Sequence, residues 1–344
     1  MNLPQSLQRR LVRRPVVIDG LTLSPELQLM LALQRIGGVP GVEELPLDEA
    51  RPALVQHARL VGGRQPIGSV RDLVVDGAEG PLPARLYTPS LRLGADPAPT
   101  LMFIHGGGWV YGDLESHDAA CRFLAEQSGV QVLAVDYRLA PEHPFPAAVQ
   151  DCQAAFRWLV EHASEVNADV DRLAVGGDSA GGAMSATTAV YAAENDLPLA
   201  FQLLIYPGTD FVGSTESRTL FEEGFFLTKL FIDSAEGRYF APGADKGMPD
   251  ASPVRRVEWP ERLAPAHVVT AGFDPLRDEG EAYVELLRSK GFEVTHERCD
   301  GMIHSFFNIV GIGHDARGHV RDIAERLRVA LDRDLSSRRS PRRA

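Results

Sequence analysis

From about residue 101 onward, short apolar runs alternate with amphipathic stretches of helical length. This order is typical of βα units around a mostly parallel sheet, because each buried strand is followed by a helix that covers a face of the sheet. A chain of 344 residues organised in this way is expected to form one large α/β domain with an accessory piece. Buried strands are predicted at residues 101–104, 131–135, 173–175, 201–205 and 267–270, with one nearer the edge at 292–297, and helices at 114–128, 147–163, 180–194, 279–290 and 315–335.

A β-hairpin is predicted ahead of this alternation. Residues 70–75 and 84–88 read as strands, and Asp76, Gly77 and Gly80 between them are typical of a turn. The hairpin is expected to start the sheet with an antiparallel pair. The whole sheet is then a mostly parallel one of about eight strands flanked by helices.

Two segments depart from the alternation and are interpreted as one mainly helical cap over the site. The first segment, residues 1–60, has a helix start at Ser24 and Pro25 and more apolar surface than one buried helix stripe needs. The second, residues 208–259, is rich in aromatic residues, most of which are expected to pack it onto the body. Residues 61–207 and 260–335 then form the catalytic domain, and residues 336–344 a basic tail that is expected to be disordered.

The net charge of −12 opposes binding to nucleic acid. Eight arginines lie near the two ends of the chain, so the rest of the sequence is still more acidic and would repel a polyphosphate backbone. The arginine runs themselves are expected to be solvated. A nucleic-acid partner is therefore not expected.

Neither a membrane span nor a secretory signal is predicted. No apolar run approaches the roughly 18 to 20 residues that cross a bilayer, and the early arginines are not followed by an apolar stretch of signal-peptide length. Cys121, Cys152 and Cys299 form no CxxC pair and are expected to be buried free thiols. These features predict a cytoplasmic protein.

The motif G-x-S-x-G occurs at Gly177-Asp178-Ser179-Ala180-Gly181, between a predicted strand and a predicted helix. A nucleophile on such a sharp turn has a strained backbone, so its neighbours must be small. The turn also directs the helix N-terminus and the Ala180 amide at the serine, where negative charge develops during acyl transfer. Taken alone, the pentapeptide is equally consistent with a glycine-rich turn in which Ser179 merely caps the helix.

A serine nucleophile needs a base that takes its proton and an acid that orients the base. In this fold the chain order is Ser, then Asp or Glu, then His, each at the carboxyl end of a strand. Asp274 follows the strand at 267–270, and His304 follows the strand at 292–297 through a predicted turn at 300–303. The required order is therefore satisfied by Ser179, Asp274 and His304.

Other acidic and histidine residues near these positions are expected to be structural. No group of His, Cys, Asp and Glu residues has the spacing of metal ligands, so neither a metal nor another cofactor is predicted. The residues that are expected to be structural are Asp278, Asp300, His296, His314 and His319.

The run HGGGW at residues 105–109 follows the predicted strand at 101–104. Consecutive glycines let backbone N–H groups approach a ligand oxygen, and the loop lies where a second oxyanion donor is required. A phosphate-binding loop is the alternative, but neither a GK[ST] ending nor the GxGxxG spacing is present. Together with the serine motif, Asp274 and His304, the loop is interpreted as part of an oxyanion hole.

Five motifs together resemble the hormone-sensitive lipase-like esterases, also called bacterial lipase family IV, of the α/β-hydrolase superfamily. The resemblance extends over some two-thirds of the chain. The motifs are HGGGW at 105–109, YRLAPEHPFPAA at 137–148, GDSAGG at 177–182, DPLRDEG at 274–280 and GMIHSF at 301–306.

The resemblance implies a cap-covered α/β-hydrolase fold with the triad Ser179, Asp274 and His304. It also implies a homodimer formed through an edge strand. Within the HGGGW loop it implies that His105 stabilises the loop, and it gives Glu142 a structural hydrogen-bonding role. The oxyanion donors that it implies are Gly107, Gly108 and Ala180, with Gly106 in the same loop.

These inferences predict a serine carboxylesterase that hydrolyses short- to medium-chain esters through an acyl-enzyme intermediate. An apolar cap favours a shallow acyl pocket over one for long triglycerides, and Trp109, Phe225 and Phe226 are the candidate substrate contacts. Two other hypotheses are a ligand-binding receptor on this fold and a regulatory or scaffolding protein that acts through its terminal arginines. The complete triad favours the enzyme.

Overall fold

The computed structural model of the chain describes residues 10–12, 14–38, 40–94 and 96–332. The predicted basic tail lies outside these residues. A large sheet forms the centre of the molecule, and a separate two-stranded ribbon precedes it. The strands are β1 (Val17–Ile18), β2 (Leu21–Thr22), β3 (Ser69–Asp76), β4 (Pro81–Thr88), β5 (Ala98–Ile104), β6 (Gln131–Val135), β7 (Ala168–Asp178), β8 (Phe201–Ile205), β9 (Ala266–Phe273) and β10 (Val294–Ile303).

Helices cover both faces of this sheet, so the central strands β5, β6, β8 and β9 are buried along their whole length. Within the described ranges, no helix combines the length and the apolar character that a membrane crossing needs. The α-helices are α1 (Pro25–Ile36), α2 (Leu47–Gly62), α3 (Asp118–Ser128), α4 (Ala147–Glu161), α5 (Ala180–Glu194), α6 (Glu216–Leu220), α7 (Lys229–Tyr239), α8 (Arg277–Ser289) and α9 (Asp315–Leu331).

The predicted sheet of about eight mostly parallel strands is confirmed. The strand order is β10-β9-β8-β7-β5-β6-β4-β3. All neighbours from β10 to β6 are parallel, whereas β4 pairs antiparallel with both β6 and β3. The chain reverses its direction of travel across the sheet between β5 and β7, and the crevice at the carboxyl ends of two such strands is where α/β proteins place their sites.

Element bounds differ from the predicted ones mainly where a strand continues through polar residues. The predicted turn at 300–303 is wrong, because β10 runs on to Ile303 across a register shift that follows Cys299. Ile303 pairs with Phe273 at the end of β9. The two strands therefore end side by side, and the residues that follow them emerge together.

The segment before residue 63 is attached to distant parts of the chain through specific polar contacts. The buried Glu26 accepts hydrogen bonds from the amides of His314 (2.6 Å) and Asp315 (3.0 Å), where α9 begins. From α2, Arg51 binds both carboxylate oxygens of Glu142 (2.8 Å each). The Arg51 side chain also donates to the Val110 carbonyl, which lies just after the HGGGW run (2.9 Å).

The insertion between β8 and β9, which contains α6 and α7, meets the same N-terminal segment. The Thr228 hydroxyl accepts a hydrogen bond from the Phe231 amide (3.0 Å) and thereby caps α7. The same hydroxyl donates to Glu43 Oε1 (2.7 Å). One side chain therefore both starts α7 and joins the insertion to the N-terminal segment.

Stability should fall below neutral pH because His267, on β9, is buried in its neutral form. Burial, with smaller contributions from Arg326 and His296, lowers the pKa of His267 from 6.5 to about 4. Between these two values the unfolded chain takes up a proton that the folded chain does not, so stability is lost as the pH falls. His267→Gln should flatten the loss by about 1 to 3 kcal/mol over this window, measured by thermal unfolding in circular dichroism.

The matched control is His143→Gln, which alters an exposed histidine and should leave the pH dependence of unfolding unchanged. Equal slopes for the wild type and His267→Gln would contradict the prediction.

Candidate active site

The Ser179 turn is forced by the close approach of two backbones. Ser179 lies between the end of β7 and the start of α5 with φ 56° and ψ −119°, a conformation that side-chain-bearing residues rarely adopt. A Cβ at Gly177 or Gly181 would lie 2.1 or 1.9 Å from the Ile104 carbonyl oxygen at the end of β5. Both glycines of the motif are therefore required for the turn to fit against β5.

Ser179, His304 and Asp274 form a continuous hydrogen-bonded chain. The Ser179 hydroxyl lies 2.9 Å from His304 Nε2, and His304 Nδ1 lies 2.7 Å from Asp274 Oδ2. The Leu276 amide donates to the other Asp274 oxygen (2.8 Å) and so orients the carboxylate. The side chains of Asp274 and His304 are 0% and 3% exposed, so Ser179 is the one of these three residues that a ligand can reach.

The oxyanion loop follows β5 and lies beside the serine. Among the described residues, none accepts a hydrogen bond from the amides of Gly107, Gly108 or Ala180. The Gly106 amide differs, because it donates to Asp178 Oδ1 at 2.9 Å. Gly106, which the resemblance includes in the oxyanion loop, is therefore not itself a free donor: its N–H group is already used to hold the loop.

Asp178, the variable position of the serine motif, was not predicted to contribute. Its side chain is buried, and Oδ1 accepts from both the Gly106 amide and His117 Nε2 (3.1 Å), while Oδ2 lies 3.4 Å from the Tyr206 hydroxyl. Burial alone would raise the pKa of Asp178, but His117 and the Gly106 amide outweigh it and lower the pKa. A carboxylate therefore lies directly behind the nucleophile. The only signal in the sequence was a charged residue at a position that the turn must bury.

His105 is held as a neutral part of the loop. Its ring stacks on Tyr137 with 4.2 Å between centroids, and the Tyr137 hydroxyl donates to the His105 carbonyl (2.9 Å). Burial, aided by the nearby His117, lowers the pKa of His105 to about 4. These contacts agree with the loop-stabilising role that the resemblance implied, and the Arg51 contacts of Glu142 agree with its structural role.

A pocket of about 430 Å³, its open mouth included, lies over the serine. Ser179, Ala180, Gly108 and Trp109 form one part of its lining. The insertion supplies a further part, of which the apolar members are Phe211, Leu227, Phe231, Ile232 and Ala235.

The structure places one of the three predicted substrate contacts in this lining. Trp109 lies in the pocket, whereas Phe225 and Phe226 are absent from its lining. Phe225 packs on Phe221 and Phe273 at about 5.5 Å between ring centroids, and Phe226 is 43% exposed. Local sequence pattern does not determine which way an aromatic side chain in an irregular segment points.

The acidic and histidine residues that were predicted to be structural have partners outside the triad. Asp278 accepts a hydrogen bond from the Ser217 amide in α6 (2.8 Å), which is the capping role expected of it. His296 lies 2.9 Å from the Thr270 hydroxyl, and the His314 amide binds Glu26. None of these contacts involves the triad.

One group of potential metal ligands occurs in the described part of the chain. Side-chain ligand atoms of Glu297, Cys299 and His319 all lie within 4.8 Å of one another. Acidic groups often lie this close together without binding an ion. We therefore assign no metal to this group.

The geometry is that of a serine hydrolase with a preformed oxyanion site, and comparison with known proteins gives the same class. A family described by its α/β-hydrolase fold matches residues 101–308. The carboxylic ester hydrolase LipN of Mycobacterium tuberculosis is 44% identical over 331 residues, which cover 93% of this chain and 86% of that protein. An ethyl acetate hydrolase of Pseudomonas putida is 35% identical over 90% of this chain and 98% of its own length.

Solved structures agree with these relatives. An α/β hydrolase from the metagenome of Lake Arreo superimposes with a TM-score of 0.83 at 39% identity, covering 89% of this chain and 98% of that one. An esterase of Pyrobaculum calidifontis also gives 0.83, at 35% identity, with 90% and 99% covered. The chain belongs to the hormone-sensitive lipase-like family of the α/β-hydrolase superfamily, and with it to the carboxylic ester hydrolases.

Substitutions at Asp178 should show whether its side chain positions the oxyanion loop for catalysis or only stabilises the fold. Asp178→Leu leaves the buried Gly106 N–H and His117 without their acceptor, so we expect kcat to fall at least about 100-fold. Asp178→Asn keeps an oxygen acceptor and should lose about tenfold or less. In both variants KM should change much less than kcat, as measured in steady-state ester hydrolysis.

Thermal unfolding of both variants provides the control for folding. Equal kcat losses in the two variants at equal stability would contradict the positioning role, since only one of them retains the acceptor.

Proposed function

We propose that this enzyme cleaves esters in two steps, in which the acyl group is transferred first to Ser179 and then to water. The Ser179 hydroxyl donates to His304 Nε2, so the imidazole takes its proton as the oxygen attacks the ester carbonyl. The hydroxyl oxygen forms the new bond to carbon, and the alkoxide leaves with the proton that His304 returns to it. Water then enters and gives a proton to His304 as its oxygen bonds to the acyl carbon. The bond from Ser179 Oγ to that carbon breaks, His304 returns the proton to Oγ, and the acid is released.

The other groups of the site stabilise the charges of these steps. Asp274 accepts from His304 Nδ1, which fixes the tautomer and stabilises the imidazolium that forms. The amides of Gly107, Gly108 and Ala180 are the proposed donors to the oxyanion, at the N-terminus of α5. The continuous chain from Asp274 to Ser179 is the observation that carries the proposal.

The pocket supports a preference for short to medium acyl and alcohol groups. The insertion narrows the space beside Ser179, since α7 packs against the oxyanion loop: a Cβ at Gly108 would lie 2.9 Å from the Ala235 Cβ. We propose that the described residues of segment 1–60 and the insertion 208–259 together form the cap. The Thr228–Glu43 hydrogen bond supports their acting as one unit.

Rates on a series of p-nitrophenyl esters should test the proposed size of the pocket. We expect kcat/KM to be highest for acyl groups of about four to eight carbons and to fall at least tenfold for palmitate, because a long chain exceeds the space beside Ser179. A maximum at palmitate would reject the small-pocket proposal.

A ligand-binding receptor would have the same fold but would not hydrolyse esters. Covalent labelling of the serine distinguishes the receptor from the enzyme. A fluorophosphonate probe should label the wild-type protein and fail to label Ser179→Ala, because only an activated serine attacks phosphorus. Ser214→Ala, which changes an exposed serine of the insertion, is the matched control and should be labelled like the wild type. An unlabelled wild type would favour the receptor.

Activity should depend on a neutral His304. We expect kcat/KM for p-nitrophenyl butyrate to fall on acidification, because a protonated imidazole cannot act as the base. A rate that stays constant to pH 5 would contradict the role of His304.

We also propose that the enzyme acts in the cytoplasm and forms a homodimer. The three cysteines are buried free thiols, which supports a reducing compartment. β10 is an edge strand of the sheet, and light scattering on the purified protein would detect a dimer formed through it.

A further inference from the structure

One wall of the pocket is charged, in contrast to its apolar surroundings. Arg218, Glu236, Glu279 and Asp210 line the same space as Ser179. Burial raises the pKa of Glu279 to about 7 although Arg218 lies beside it. Charged side chains are costly to bury. The hydrogen-bonding partners of each one therefore indicate whether it only stabilises the fold or can also bind a ligand.

Most of the hydrogen-bonding groups in this wall already have partners. Glu279 accepts from the Thr209 amide (2.8 Å) and from Arg218 Nε (2.9 Å). The Nη2 group of Arg218 donates to the Asp210 carbonyl (2.9 Å). Glu236 Oε2 lies 3.0 Å from Lys246 Nζ. These bonds fix the positions of both Arg218 and Glu236.

One donor and one acceptor remain, and they face each other. Arg218 Nη1 and Glu236 Oε1 lie 3.7 Å apart, beyond hydrogen-bonding distance. Across the described ranges of the chain, neither atom makes a hydrogen bond to any other residue. Their side chains are 20% and 16% exposed, so both belong to a partly buried wall of the pocket.

The pair lines the same pocket as Ser179 and the oxyanion loop. On α7, Phe231 and Ala235 contact the oxyanion loop, at 3.1 and 2.9 Å from the position that a Cβ on Gly108 would take. Glu236 is the next residue along α7 and lines the same space. Both side chains of the pair therefore line the same space as the nucleophile.

We propose that Arg218 and Glu236 form a subsite for a hydroxyl group of the substrate, so that the preferred esters are short ones with a hydroxyl near the chain end. An alcohol oxygen can accept from Arg218 Nη1 while its proton is donated to Glu236 Oε1. A methyl group satisfies neither atom, a carboxylate is repelled by Glu236, and an ammonium is repelled by Arg218. The inference rests on the proposed function, since it assigns a substrate class to the same pocket.

The experiment compares esters of equal size that differ in one group. Methyl ω-hydroxyhexanoate is paired with methyl heptanoate, and hexanediol monoacetate with heptyl acetate, so that either side of the ester can carry the hydroxyl. We expect the hydroxyl ester to have the higher kcat/KM, by about tenfold or more, in at least one pair. A ratio of one or less in both pairs overturns the subsite.

Two variants locate the effect. Glu236→Met removes the acceptor with a side chain of similar length, and should reduce the ratio to one or below. Glu223→Met makes the same exchange at an exposed position of the insertion outside the pocket lining, and should keep both the wild-type rate and the ratio. A wild-type ratio retained in a folded Glu236→Met, as judged by thermal unfolding, also overturns the subsite. Absence of hydrolysis of all four esters by the wild type would instead reject the proposed function.

Discussion

The left-handed backbone at Ser179 is the constraint on which the rest of the site depends. Such a conformation costs about 1 to 3 kcal/mol and persists only where the surroundings impose it. Here β7 and α5 are held against the end of β5, and the Ser179 amide donates to the Ile205 carbonyl of the neighbouring strand (2.9 Å). The turn consequently presents the hydroxyl to His304 and the Ala180 amide to the same space.

Asp178 extends this constraint to the oxyanion loop. As the residue just before the nucleophile, it lies at a fixed distance from Ser179, and its carboxylate binds the Gly106 amide of the loop. Tyr206, whose hydroxyl lies near Asp178 Oδ2, also packs 4.6 Å from the His304 ring. Nucleophile, base and oxyanion donors are therefore held in relation to one another by one buried carboxylate as well as by the strands that carry them.

Prediction from the sequence succeeded where local pattern and chain order determine geometry. Ser179, Asp274 and His304 follow the carboxyl ends of β7, β9 and β10, which lie at the same edge of the sheet, so a correct sheet brings them together. Phe225 was not predictable in the same way, because the direction of a side chain in an irregular segment depends on what packs around it. The predicted turn before His304 failed for a related reason: Asp300 and Gly301 are typical of turns, but pairing with β9 keeps the segment in the sheet.

The Glu26 contact with the first residues of α9 has a consequence for how the protein folds. The two partners are separated by 288 residues of sequence, and the Thr228–Glu43 contact spans 185. Contacts between such distant residues slow folding, because a large loop must close before they form. During synthesis the earliest helices therefore leave the ribosome long before the residues they bind, and the Glu26 contact forms only when α9 is in place.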